Sequence, residues 1–302
     1  MNIKPSFYND FRCKADMCVD SCCIGWEIDI DSASLEKYNS VSGRFGEKLR
    51  SSIGTDGECS YFKLADNERC PFLCKDGLCD IYINLGEDAL CDICREHPRF
   101  YNVTEDVTES GLGLCCEKVC EMLFDDNYTL EFLADGEVCQ SEIHSAVLEI
   151  INAPDNDIIE KMDKLLTLFD CDNKITLNKS LGEKLVGSFM KTEPINEEWT
   201  RFITALNEAV TDFDPALIDF NDKDYSKLLC YIMYRNLPET YYDKGTMMYF
   251  SCVSACFVII CDWFSLKNKG CLTKGGRLDN VRRWSKQIEY STDNIDIIIS
   301  EF

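Results

Sequence analysis

Thirteen of the chain's 20 cysteines fall between Cys13 and Cys120, in short, irregular spacings suited to metal ligands. The first block is Phe11-x-Cys13-(4)-Cys18-(3)-Cys22-Cys23-x2-Trp26. The second runs from Cys70-Pro-Phe-Leu-Cys74-(4)-Cys79 to Cys91-(2)-Cys94-(2)-His97-Pro98-Arg99, and the third is Cys115-Cys116-(3)-Cys120. A buried structural cysteine acts as a small apolar residue and needs no neighbour of its own kind. Thiolates recurring every few residues are what a metal or iron–sulfur centre requires, because several sulfurs must meet at one point.

Two metals compete for such a donor set. Structural zinc takes four closed ligands, often from two Cys-x2-Cys knuckles. Only Cys91 and Cys94 have that spacing, with His97 close enough in sequence to be a third ligand. Single thiolates converging from several loops suit a cubane better, since its irons occupy separate corners. Iron–sulfur is therefore the preferred reading and zinc the alternative. The radical-generating Cys-x3-Cys-x2-Cys spacing is broken, because Gly25 stands where the third cysteine would be. No Gly-x-Gly-x-x-Gly loop is present to cradle a phosphate. Cys252, Cys256 and Cys261 lie in an apolar run and read as core fillers. Cys139, Cys171, Cys230 and Cys271 are isolated. His97 and His144 are the sole histidines, which leaves little material for imidazole acid–base chemistry.

The elements that must position these residues follow from composition and periodicity. With 302 residues and 45% hydrophobic content, the chain can bury a core without disulfide staples. Its formal charge of −23 disfavours nucleic acid, which a polyanion repels. Met-Asn-Ile-Lys-Pro-Ser has no apolar leader, so a cytoplasmic protein with reduced thiols is expected. The uncharged run from Gly245 to Cys261 is shorter than the ~20 residues of a bilayer span and predicts a buried core helix, with no membrane association.

The expected architecture is mainly α, a loop-rich cysteine-cluster region (residues 1–128) packed on an all-helical region (129–302). Trp26–Asp31 alternates like a short strand, and Asp31 or Ser32 can cap a helix through Leu35 and Tyr38. Residues 81–90 allow one or two helical turns. Pro154–Asp157 supplies a stop and a new cap before Ile158, Met162, Leu165 and Phe169. Further helices are predicted through Leu181–Phe189, Trp199–Val210, Tyr225–Arg235 and after Ser291.

The blocks above resemble the flagellin lysine-N-methylase family. The opening cysteine block, Cys70-Pro-Phe-Leu-(4)-Leu78-Cys79-x-Ile81, and Leu85-Gly-Glu-(2)-Leu90-(3)-Cys94-(2)-His97-Pro-Arg99 carry the likeness. Leu112-x-Leu-Cys115-x-Glu117 stands at the family's Cys-Pro-Glu, with Cys116 in place of proline. Tyr234-Arg235 and Arg283-Trp-Ser-Lys-Gln-Ile-Glu289-Tyr-Ser291-(2)-Asn294 match its C-terminal end. The first two blocks are also similar to a broader group of zinc- or iron-chelating cysteine-cluster proteins.

The resemblance implies methyl transfer from S-adenosylmethionine to flagellin lysines by a protein with a [4Fe–4S] cluster. It also implies a ligand pool of Cys13, Cys18, Cys22, Cys23, Cys70, Cys79, Cys94 and Cys115, more than one cubane uses. Neighbouring Cys22 and Cys23 are not expected to aim at one iron. Cys59, Cys74, Cys91, Cys116 and Cys120 depart from the family pattern and could add ligands. In the matched C-terminal region, Tyr234, Tyr241, Tyr242 and Asp243 are candidates for guiding a proton, and Arg235 for holding the donor's carboxylate. The competing expectation is a non-catalytic cysteine-cluster module that grips a partner or handles metal.

Overall fold

A computed structural model describes every residue except 58, 239 and 240. Most described residues are helical, with short strands concentrated in the N-terminal half. The chain forms two units from interleaved stretches. Arg12–Phe100 and Cys116–Lys118 make a cysteine-rich unit; Met1–Phe11, Tyr101–Cys115 and Val119–Phe302 make a helical one.

The helical unit is built around the helix Lys244–Lys269, buried almost continuously from Gly245 to Trp263. A helix apolar on every face must be surrounded. Lys223–Asn236, Ile158–Leu168, Lys179–Phe189 and Lys274–Ile288 all pack on it. Phe189 and Phe257 stack at 3.7 Å between ring centroids. By length and composition this helix could cross a membrane, yet 89% of its most apolar window is buried within the protein. The expected core helix is present, and it extends beyond the predicted run at its C-terminal end.

A carboxylate sits inside that core. Asp262 is fully buried, accepting from Asn280 Nδ2 at 2.8 Å, Arg277 Nε at 3.0 Å and the Tyr225 hydroxyl at 3.1 Å. Burial pushes its carboxyl upward, while the Arg277 guanidinium and the three hydrogen bonds oppose that push. Arg277 also reaches Asp222 at 2.7 Å and Asp224 at 2.9 Å. The network thereby ties three helices at one point.

Helix starts follow local chemistry. Asp157 and Glu160 form a reciprocal capping box ahead of Ile158–Leu168. Asn178, Asn196, Asp243 and Ser291 each accept a backbone N–H at the start of the next helix. The C-terminal part is not wholly helical. Strands Phe132–Ala134 and Glu137–Val138 pair around Asp135-Gly136, where φ is +49° and +98°. This Asp-Gly pair is the hairpin signal that a helical reading passes over. The hairpin joins a five-stranded sheet in the order Arg99–Val103, Thr108–Leu112, Asn2–Pro5, Phe132–Ala134, Glu137–Val138. Asn2–Pro5 runs parallel to Thr108–Leu112 and antiparallel to Phe132–Ala134.

The cysteine-rich unit holds a three-stranded sheet, Asp29–Ile30, Cys59–Phe62 and Ile53–Asp56 in that order. Helices Ser32–Ser40 and Gly43–Ser51 accompany it, and the first is capped by Asp31 accepting from Ser34 N at 2.9 Å. Residues 81–90 resolve into the helix Asp80–Leu85 and a single turn, Glu87–Ala89. Tyr38, Leu49, Phe62 and Phe72 form the core, with the Tyr38 hydroxyl donating to Ala89 O at 2.7 Å. Gly46 passes so close to Val41 that a β-carbon there would stand 1.9 Å from its carbonyl oxygen. No larger residue fits.

Asp262→Ala is expected to cost about 3–5 kcal/mol by breaking a buried polar network, because the Tyr225 and Asn280 donors lose their acceptor although Arg277 keeps Asp222 and Asp224. Asp157→Ala should cost about 1 kcal/mol through its cap. Urea unfolding followed by circular dichroism measures both, and equal losses would contradict this ranking.

Candidate functional site

Seven of the matched thiols, Cys13, Cys18, Cys22, Cys23, Cys70, Cys79 and Cys94, belong to the cysteine-rich unit, and Cys115 belongs to the helical one. Local turns explain how some of them meet. Cys74 N donates to Leu78 O at 2.8 Å, and Gly77 turns at φ +84°. Leu73 pairs with Cys79 across that turn. Cys70 N donates to Cys23 O at 2.8 Å, drawing the first block onto the second. Cys91 immediately precedes the short helix Asp92–Glu96, which carries Cys94. As a result Cys23, Cys70, Cys79, Cys91 and Cys94 share one apolar core with Phe72 and Trp26.

Two thiol pairs dominate the electrostatics. Cys22 donates to the Cys23 sulfur, which is lowered to about 7, while Cys22 itself is pushed up. Cys94 donates to the Cys91 sulfur in the same way, holding Cys91 down and driving Cys94 up. In each pair the acceptor is stabilised as thiolate by its neighbour's proton. Burial raises Cys70 to about 11, and burial first, then Cys116, raises Cys18 to about 11.

A second set of contacts surrounds Glu117. Its carboxylate accepts from Lys14 Nζ at 2.5 Å and from Val19 N at 2.8 Å. The residue before it, Cys116, is thereby held beside the Cys13–Cys18 loop.

Among the described residues, no three His, Cys, Asp or Glu side chains already stand at metal-ligand spacing. The sulfurs meet chiefly in pairs. The donor set is nevertheless thiol-rich and partly dry, which suits a thiophilic metal or an iron–sulfur cluster. Binding would deprotonate these thiols and draw the pairs together. His97 ends the Asp92–Glu96 helix, with its ring edge-on to Trp26 at 6.5 Å. Cys59 is exposed and Cys74 lies at the turn. Cys120 is buried and donates to Leu114 O at 3.0 Å. Cys252, Cys256 and Cys261 are core fillers in the central helix, and Cys139 and Cys230 are also buried. Burial pushes Cys230 and Cys256 up to about 12.

The polar candidates of the helical unit separate into two places. Tyr234 is buried, its hydroxyl 2.8 Å from Ile3 O and 3.0 Å from Ser110 O. Arg235 Nη2 donates to Glu289 O at 2.9 Å, and its Nε lies 3.6 Å from Glu289 Oε1. The guanidinium lies over the Tyr290 ring at 4.6 Å, and Cys115 Sγ donates to the Tyr290 hydroxyl at 3.0 Å. Cys115, Tyr290, Arg235 and Glu289 thus form a continuous cluster, in which Cys115 and Glu289 are buried and Tyr290 lies at the surface. Sequence reading placed Cys115 among the metal thiols and overlooked Glu289 and Tyr290 as partners of Arg235.

Tyr242 and Asp243 lie elsewhere. Tyr242 donates to Asp296 Oδ1 at 2.8 Å, and neighbouring Tyr241 is 92% exposed. Asp243 caps the central helix, accepting from Thr246 N at 2.9 Å and Thr246 Oγ1 at 2.7 Å. These bonds hold its carboxyl below the usual range. Asp243 also borders a cavity of about 370 Å³ with Asp170, Asp172, Tyr249, Phe250 and Phe302. Carboxylates and aromatic faces around one space favour a cation there.

Comparisons with known proteins find distant relatives. The chain is 26% identical over 153 residues to lysine-N-methylases of Salmonella choleraesuis and Salmonella typhimurium, covering 48% of this chain and 37% of each relative. It is 28% identical over 131 residues to the flagellar biosynthetic protein FliU of Salmonella muenchen, covering 41% of this chain and 76% of that protein. The matched region thus spans little more than a third of the lysine-N-methylases' length. No family model matches the chain, and no solved structure does. The chain is distantly similar to lysine-N-methylases.

Removing Arg235 strands Glu289 in the core. Arg235→Ala should therefore destabilise the fold by about 3–5 kcal/mol, and adding Glu289→Gln should recover part of the loss. Additive losses in a denaturant double-mutant cycle would show that the two side chains are not coupled.

Proposed function

We propose that the chain is a protein-lysine N-methyltransferase. It acts on flagellin in the cytoplasm, takes its methyl group from S-adenosylmethionine and carries a thiolate-bound [4Fe–4S] cluster. The observation that carries this reading is the distant similarity to the Salmonella lysine-N-methylases, joined to the thiol-lined core around Cys23, Cys70, Cys79, Cys91 and Cys94. When bound there, the cluster would cross-link loops that the small sheet cannot fasten alone.

The reaction itself is a polar displacement. The lysine nitrogen forms a bond to the methyl carbon as the carbon–sulfur bond breaks, and the proton on nitrogen leaves to solvent or a base. Free lysine titrates near 10.4, so the amine must lose its proton before attack. Carboxylates close to it raise that value and work against deprotonation. Asp170, Asp172 and Asp243 are therefore assigned to attracting a cation, either the donor's sulfonium or the incoming ammonium, rather than to accepting the proton. With its carboxyl held low by Thr246, Asp243 stays ionised and suits that anchoring role.

A second reading is a cysteine-cluster module that grips a partner or handles metal without turnover. It is favoured by the engagement of Tyr234 and Arg235 in core contacts, away from the cavity bordered by Asp243.

Incubation of anaerobically purified protein with flagellin and S-adenosylmethionine should raise the flagellin intact mass in methyl increments. Asp243→Asn keeps the helix cap, since asparagine caps as well as aspartate. It should raise the KM of one cationic substrate about tenfold, roughly the loss of one charge-assisted contact. Flagellin of unchanged mass would favour the module reading, and an unchanged KM would remove Asp243 from the site.

A further inference from the structure

The cavity of about 370 Å³ in the helical unit has two unlike ends. One wall is a face of the central helix, where Thr246, Tyr249, Phe250 and Val253 recur at helical spacing. Between Thr246 and Val253 that face runs about 10 Å. At its start stand three exposed carboxylates, Asp243 at the helix cap and Asp170 and Asp172 on the loop after Phe169. Farther along, Phe250 and Val253 are buried, and Phe302 lies beside Tyr249 with ring centroids 6.1 Å apart. Ile298 and Ile299 complete the apolar lining.

Two backbone features bring the acidic loop to the helix start. Asp170 adopts φ +55°, a left-handed conformation that aspartate tolerates better than most residues. Gly245 lets the loop lie close, since a β-carbon there would stand 3.0 Å from Phe169 O and 3.5 Å from the Cys171 β-carbon. Among the described residues, no Lys, Arg or His lines the cavity. Three carboxylates at one end attract a cation. The aromatic wall does so too, and the chain itself displays it: Lys184 Nζ lies over the Phe302 ring, 4.1 Å from the centroid. An anionic group would meet these carboxylates without a partner. S-Adenosylmethionine carries a carboxylate next to its ammonium and so matches the lining poorly. A lysine side chain within a polypeptide carries the ammonium alone.

We infer that this cavity is the acceptor site and that the methyl donor binds elsewhere. The acidic end takes a lysine ammonium of a polypeptide, and the aromatic end takes an apolar side chain two residues away. In an extended segment, residues two apart point to one side about 7 Å from each other, which suits the length of this face. The inference deepens the proposed function and rests on its protein-lysine reading. It settles which cation Asp170, Asp172 and Asp243 serve: flagellin, not the donor, is then the substrate whose KM responds to Asp243→Asn. It also makes the site selective for lysine in a chain, because the free amino acid would add a carboxylate at the acidic end.

Titration calorimetry on the full chain tests this without turnover. The probe is a blocked peptide, acetyl-Leu-Ala-Lys-Ala-Leu-amide. Norleucine in place of its lysine keeps the stem and removes the charge, and should weaken binding about tenfold, the loss of one charge-assisted contact. Serine in place of both leucines should weaken it about tenfold as well, through lost apolar burial. Asp172→Asn, an exchange at an exposed position, should weaken the lysine peptide, spare the norleucine peptide and leave the affinity for S-adenosylmethionine unchanged. Phe302→Ala should weaken the leucine-bearing peptide more than the serine-bearing one. Where Phe302→Ala unfolds by circular dichroism, Asp172→Asn with the peptide series decides the matter.

No binding of the lysine peptide, equal affinity for the lysine and norleucine peptides, or a donor affinity that falls in Asp172→Asn would overturn the acceptor assignment, even where flagellin is methylated. Cadaverine bound more tightly than the lysine peptide would make the occupant a free diamine and overturn it as well. Peptides bound as expected by a protein that leaves flagellin unmethylated would keep the site and sink the turnover reading alone.

Discussion

The cysteine-rich unit depends on sulfur proximity because it has little else to hold its loops. Its strands are two to four residues long, and its hydrophobic centre is a compact group around Tyr38, Leu49, Phe62 and Phe72. Ordering each loop residue costs about 1–2 kcal/mol of backbone entropy, which so small a core offsets poorly. Thiol contacts such as Cys22–Cys23 and Cys91–Cys94 lie where loops must be fastened. A bound metal, as in the proposed function, would convert those weak contacts into bonds that close several loops together. The same requirement explains why the cysteines are irregularly spaced: they follow the turns of the backbone, not a repeating element.

The helical unit solves the opposite problem. Its central helix has abundant apolar surface, so stability comes from enclosure and specificity must come from polar exceptions. Asp262 and Arg235 are two such exceptions, each paired and hydrogen-bonded inside the core. A buried charge can be placed in few ways, so each pair restricts how neighbouring helices meet. The cost is rigidity at Arg235, whose guanidinium is engaged by Glu289 and Tyr290.

Charge organises the rest of the surface. A formal charge of −23 makes the surroundings attractive to cations and repellent to polyphosphates. The cavity bordered by Asp170, Asp172 and Asp243 concentrates that tendency beside Tyr249 and Phe302. Such a setting binds ammonium or sulfonium groups well and deprotonates ammonium poorly. Separating those two tasks is a physical requirement on any lysine methylation carried out here.

Much of this was legible from residue types alone. Asp31, Asp157 and Ser291 cap helices where their side chains predict, and the run from Gly245 to Cys261 is the buried helix its apolarity requires. Both rest on interactions within a few residues, which a linear chain displays. The Asp135-Gly136 hairpin was equally local and readable. Long-range partnership was not. Nothing in the spacing says that Arg235 meets Glu289, or that Cys115 and Cys116, neighbours in sequence, belong to different units. Likewise, only folding places Cys116 beside the Cys13–Cys18 loop, through a carboxylate at Glu117 that could have paired with any cation. Sequence determined which residues could bind metal and which helices must be buried, because those follow from side-chain chemistry. Tertiary structure decided which thiols and charges meet, because that depends on where distant backbone segments come to rest.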